Sequence, residues 1–144
     1  MSASDPPVDL RYAKSEDYRA VLEDILARGE CPFCPNHLST WHTKPILREE
    51  GGWLITESRW PYEQAAHHFL VIGGRHLEHL EDIAPSDLAA VHHLMAWAAQ
   101  KFGIPGGALL LRFGNPLFSG ATVRHLHFHL ISPREGEVVQ FPVG

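Results

Sequence analysis

The chain has 144 residues, with 12 lysines and arginines against 17 aspartates and glutamates, a net charge of −5 and 44% hydrophobic residues. That length and apolar content suit a domain with its own core and exclude wholesale disorder. The acidic balance argues against coating a nucleic-acid backbone, which rewards positive charge.

No apolar run approaches the roughly 20 residues that span a bilayer, and the first residues have neither the basic nor the apolar part of an export signal. The expectation is a cytoplasmic protein without a membrane partner. Residues 1–9 show no periodicity and read as a flexible N-terminal arm, ahead of a single domain over 10–144. From Ser15 the pattern turns helical: Tyr18, Val21, Leu22, Ile25 and Leu26 fall at i, i+3, i+4, i+7 and i+8, with Gly29 as the stop. Cys31-Pro32-Phe33-Cys34 follows as a tight knuckle. Two cysteines so spaced in a cytosolic chain are metal or redox chemistry, or neither, and not a disulfide framework.

Residues 45–49 and 53–56 flank Glu50-Gly51-Gly52 and predict a β-hairpin. His68–Ile72 predicts a third strand, ended by Gly73-Gly74. A second helix is expected over 85–102, with Leu88, Val91, Met95, Ala98 and Phe102 inward and Gly103 as its stop. Strands are expected at 108–113 and 123–131, with a loop over 114–122 and a short edge strand at 138–141. Strands outnumber helices, and the early loops are too short for parallel crossovers, so the fold class is antiparallel α+β.

The chain carries 11 histidines. Three of them alternate in His125-Leu126-His127-Phe128-His129-Leu130-Ile131. On a strand, alternate side chains share a face about 6.5–7 Å apart, so the imidazoles would form a rack while the apolar residues enter a core. The residues leave three readings open: an amphipathic strand with a histidine face, a metal centre, or nucleophilic catalysis by an imidazole. With an ordinary pKa near 6.5, about three quarters of such an imidazole is neutral at pH 7 and has a free lone pair.

At these residues the chain resembles the histidine-triad (HIT) superfamily of nucleotide hydrolases and transferases, whose His-apolar-His-apolar-His-apolar-apolar signature residues 125–131 match throughout. Supporting matches are His68–Ile72 leading to His76, Trp60-Pro61-Tyr62, and the turn Gly120-Ala121-Thr122-Val123. The resemblance spans about residues 31–131 and implies a HIT-like fold with about five antiparallel strands and two main helices.

It also implies a reaction at the α-phosphate of an adenosine phosphoramidate or dinucleoside polyphosphate, through a covalent nucleotidyl-histidine. By position His127 is the attacking residue, and His129 contacts the phosphate or protonates the leaving group. His125 orients its neighbour, directly or as a metal ligand, and the Thr122 hydroxyl touches the phosphate or leaving atom. The nucleotide-binding set carried over is Ser58, Asn115, Gly120, Ala121, Thr122, His127 and His129. The chain departs from the family with Ala121 for the usual Gln, Ser58 for the usual ribose contact, and Gly73-Gly74 for Pro-Lys/Arg.

In some members a Cys-x-x-Cys pair joins two histidines around structural zinc, which maps onto Cys31, Cys34, His76 and His125, with His79 as the alternative ligand. A homodimer is implied as well. Rival readings are a non-catalytic nucleotide-binding regulatory module, a phosphorylase or nucleotidyltransferase of HIT type, and a hydrolase using the triad as direct metal ligands. His67, His92 and His93 read as surface or satisfied core side chains; Arg75, Arg112 and Arg124 are candidates to help hold phosphates, with surface solvation the favoured reading for each.

Overall fold

A computed structural model of the chain describes residues 6–10, 13 and 15–144. Helix α1, Glu16–Arg28, starts where the Ser15 hydroxyl accepts the Tyr18 N–H at 3.1 Å and ends at Gly29, whose φ of 67° lets its N–H reach the Ile25 and Leu26 carbonyls. A four-residue helix that the sequence did not signal, α2 (Leu38–Trp41), leads into strand β1, Ile46–Glu50. The turn to β2, Trp53–Glu57, places Gly51 at φ 58° and Gly52 at φ 82°, the paired positive values that a two-residue hairpin turn requires. Strand β3 spans Ala65–Gly73 and helix α3 Pro85–Lys101. Strand β4 (Ala108–Leu111), the short helix α4 (Pro116–Ser119) and strand β5 (His127–Pro133) complete the order.

The five strands form one antiparallel sheet, as expected, and their order is β1-β2-β3-β5-β4. Helix α3 covers one face, where Val91, Leu94, Met95 and Ala98 pack on Trp53, Ile55, Phe69, Val71 and Leu130. A second cluster joins Val8, Leu22, Ile25, Trp41 and Val123 beneath α1.

Four expectations need correction. Leu88 is 51% exposed, not inward. Buried Asp87 takes the inward position in that turn, receiving the Trp53 Nε1–H at 3.0 Å and the Ala84 N–H at 2.8 Å. Leu88, one residue on, is thereby turned toward solvent. Of the arm expected over 1–9, residues 1–5 lie outside the described residues, and Val8 is buried and bridged to Val123. Strand β5 begins at His127, not 123, because the Arg124 and Leu126 amides donate to the Pro7 and Leu77 carbonyls. Residues 138–141 form no strand; the chain end is irregular and lies along a cavity, where Arg112 holds the Pro142 carbonyl. Among the described residues, no helix is long and apolar enough to cross a membrane.

Close approach of β4 to β5 depends on Gly107, where a Cβ would stand 2.2 Å from the Ile131 carbonyl oxygen. Backbone must move to admit it, so Gly107→Ala is expected to lower unfolding free energy by about 1–3 kcal/mol. A denaturant titration that leaves the midpoint unchanged would contradict this packing.

Candidate active site and candidate metal centre

Alternation in β5 sends Phe128 and Leu130 toward α3, Phe128 meeting the Trp53 ring edge-on at 5.7 Å, so His127 and His129 face the opposite side. There they line a cavity of 440 Å³, within the range of small-molecule sites. Leu22, Ile25 and Phe33 give it an apolar end, and Tyr62, Arg112 and the chain end close another wall.

The hydrogen bonds around these two rings fix where their protons lie. His127 Nδ1 sits 2.7 Å from its own neighbour's carbonyl, His125 O, and a carbonyl only accepts. Nδ1 therefore carries the hydrogen and Nε2 keeps its lone pair. Burial pushes the His127 pKa down to about 4, against the opposing effect of the carbonyl and with help from the nearby Arg112 charge, so the ring is neutral at pH 7.

His129 is set by a longer chain of contacts. The Tyr62 amide can only donate, and it points at His68 Nδ1 at 3.1 Å. His68 must then carry its hydrogen on Nε2, which lies 2.8 Å from His129 Nδ1. That nitrogen accepts, so neutral His129 presents an Nε2–H. The Tyr62 ring stacks on His129 at 5.8 Å with planes 13° apart and holds its orientation. The result is a lone pair on one imidazole beside a donor on the next, with ring centroids 4.8 Å apart.

His125 does not share their cavity. It precedes the regular strand, is 1% exposed, and its ring lies with Cys31, Cys34 and His76, so the expected single rack of three imidazoles is split. Its Nε2–H donates to the Gly73 carbonyl at 2.5 Å, and burial pushes its pKa down to about 4. His76 donates its Nε2–H to the Glu78 carboxylate at 2.9 Å. Both rings therefore aim Nδ1 lone pairs at one point, and these nitrogens are only 3.3 Å apart. Two lone pairs so close repel unless a cation lies between them. Three further separations are 3.4 Å from Cys31 Sγ to His125 Nδ1, 3.6 Å from Cys34 Sγ to the same atom, and 3.3 Å from Cys34 Sγ to His76 Nδ1, and all four ligand atoms lie within 4.8 Å of one another. A tetrahedral zinc with two sulfur and two nitrogen ligands has S···N edges of about 3.6 Å and an N···N edge of about 3.3 Å. The donor set fits such an ion. Burial pushes the Cys31 thiol up to about 12, so a thiolate there needs a cation beside it.

Among the described residues, no other group of three or more His, Cys, Asp or Glu side chains converges in this way, and His79 lies outside the cluster. Ser58, Gly120 and Thr122 line the cavity, the Thr122 side chain hydrogen-bonding Tyr18 and the Ser58 hydroxyl accepting the Trp60 N–H at 3.2 Å. Asn115 and Ala121 do not line it. Asn115 spends its side chain capping α4, accepting the Leu117 N–H at 3.0 Å. Sequence reasoning missed His68 and Glu78 as functional positions. The available signal was spacing: His68 lies on the same face of its strand as Leu70, and Glu78 follows His76 by two residues.

The family model of the HIT domain matches residues 62–136. An uncharacterized HIT-like protein of Chlamydia trachomatis serovar D is 34% identical over 86 residues, covering 58% of this chain and 75% of that protein. A zinc-bound histidine triad family protein from Mycobacterium smegmatis has 25% identity and a TM-score of 0.55, over 74% of this chain and 78% of that one. A hypothetical protein from Leishmania major has 25% identity and a TM-score of 0.58, over 74% of this chain and 75% of that one.

Proposed function

The chain belongs to the HIT family, and from that membership we propose that it is a nucleotide hydrolase or transferase acting at an α-phosphate through a covalent nucleotidyl-His127. The observation that carries this is the His127 tautomer: a neutral ring, Nδ1–H on the His125 carbonyl, with its Nε2 lone pair at the cavity. A bond forms from Nε2 to the α-phosphorus while the bond to the leaving group breaks, its electron pair going with that group. The ring becomes a phosphorylated imidazolium, and the His125 carbonyl on its retained Nδ1–H stabilises the positive charge. The His129 Nε2–H donates to the departing atom or a non-bridging oxygen. Water or another acceptor then attacks phosphorus, giving up its proton to the departed group or to solvent, and the P–N bond breaks with its electron pair returning to Nε2, restoring neutral His127.

The nucleoside, an adenosine in this reading, lies toward the apolar end, with Ser58 near its ribose and Thr122 and the Gly120 turn at the phosphate. Cys31, Cys34, His76 and His125 would hold a structural zinc, which when bound links separate chain segments and has no open coordination position. We also propose a homodimer; Leu109, 62% exposed on the outer strand β4, would lie at its edge.

The test is an acid quench during turnover of an adenosine phosphoramidate or diadenosine polyphosphate, followed by peptide mass mapping. An AMP adduct on His127 is expected, and turnover without any protein adduct would overturn the covalent route. His68 is a positioning residue in this scheme. His68→Ala removes the donor that fixes the His129 tautomer and is expected to lower kcat about 10–100-fold with little change in KM. A matching rise in KM with kcat intact would assign His68 to binding instead.

A further inference from the structure

Two arginines line the cavity without an ion-pair partner among the described residues: Arg59, which donates to the Trp41 carbonyl and lies over the Trp60 ring, and Arg112, which stands beside His127. None of the ion pairs among the described residues involves either. Arg112 Nη1 donates to the carbonyls of Ser119 at 2.7 Å and Pro142 at 2.6 Å, and its Nη2 reaches the Tyr62 hydroxyl at 3.4 Å. All three acceptors are neutral oxygens. A guanidinium has five N–H donors, so the Nε–H and a second Nη2 hydrogen remain. By contrast Arg75 is neutralised by both oxygens of Asp87. Register brings Arg112 to the chemistry: Leu110 pairs with His129, so Arg112, two residues on, falls on the same face beside His127.

We propose that Arg112 selects substrates whose leaving group is itself phosphorylated, by holding the phosphate beyond the one His127 attacks. This rests on the nucleotidyl-transfer reading and names its leaving-group class. Two features support it. A fixed cation with donors to spare matches an anionic oxygen, which adds charge–charge attraction that the neutral carbonyls it already holds do not offer. Moreover, an amine cannot depart without gaining a proton, whereas His129, with Nδ1 accepting from His68, has a hydrogen to share but no excess proton to give. A nucleotide or other phosphate departs as an anion and needs only its charge stabilised. The chain end serves as a brace: the Pro142 carbonyl fixes one side of the fork, so the free side is aimed before substrate arrives.

The experiment compares AMP and ADP by calorimetry, ADP carrying the additional phosphate, on wild type, Arg112→Gln, Arg112→Lys and a chain ending at Phe141. Wild type is expected to bind ADP about tenfold more tightly than AMP, and Arg112→Gln to bring the two within about twofold. Arg112→Lys restores part of the preference, and the shortened chain, which lacks the Pro142 brace but keeps the guanidinium, retains the greater part of it. In turnover, Arg112→Gln lowers kcat/KM for a diadenosine polyphosphate at least about tenfold more than for an adenosine phosphoramidate. Equal wild-type affinity for the two nucleotides, or a preference that survives Arg112→Gln, overturns the proposal while leaving the nucleotide site standing. A shortened chain that loses the preference as fully as Arg112→Gln assigns selection to the tail and also overturns it. Failure of wild type to bind either nucleotide overturns the site reading, and this inference with it.

Discussion

His127→Ala is expected to lower AMP release from a diadenosine polyphosphate or adenosine phosphoramidate by at least about 10⁴-fold, with the protein still folded. The size follows from what is lost. No neighbouring group can take over the attack. His129 carries a hydrogen, not a lone pair, on its Nε2, and His125 has its lone pair among the cysteines. Direct attack by water would have to reach the same transition state without a nucleophile preset by the His125 carbonyl. Substituting His129 is expected to do less, about 10²–10⁴-fold, because it removes a donor and leaves the attacking atom in place. Folding should survive, since His127 belongs to the cavity floor and solvent can enter the space vacated. Circular dichroism and the thermal midpoint check that point. Residual turnover within tenfold of wild type would remove His127 from the role of nucleophile.

How much of this was legible beforehand depended on whether the signal was local. Alternation in 125–131 was enough to place Phe128 and Leu130 in a core and to leave His127 and His129 on the other face. Ser15 and Gly29 bounded α1 because capping depends on a few neighbouring residues. What escaped was set by register and by distant backbone. His125 leaves the rack because amides at 124 and 126 are drawn to Pro7 and Leu77, which no local pattern encodes. His68 meets His129 only once β3 and β5 are adjacent and Leu70 stands opposite His129. Arg112 looked like a surface cation until β4 took the far side of β5. The apolar chain end, with strand-like composition, forms no strand; Arg112 takes one of its carbonyls and the segment runs along the cavity.

Purified protein is expected to carry one zinc per chain, and Cys31→Ser or Cys34→Ser to reduce this to under about a tenth of an equivalent, since a closed tetrahedral site tolerates no missing ligand. The metal would join residues 94 positions apart, Cys31 and His125, and 42 apart, Cys34 and His76. Its loss therefore frees two long loops and leaves the Nδ1 atoms of His76 and His125 facing each other across 3.3 Å with nothing between them. The expected drop in thermal midpoint is about 10 °C or more. Glu78→Gln tests the outer layer: without the carboxylate on His76 Nε2, zinc affinity should fall about 10–100-fold while the four ligands stay intact. Metal content also separates a staple from a catalytic ion. If the triad histidines were themselves the ligands of a catalytic zinc, His127→Ala and His129→Ala would empty the site. With His127 and His129 outside the cluster, both variants should retain a full equivalent. Zinc lost from those variants, or a chelated protein that melts like the untreated one, would break the assignment.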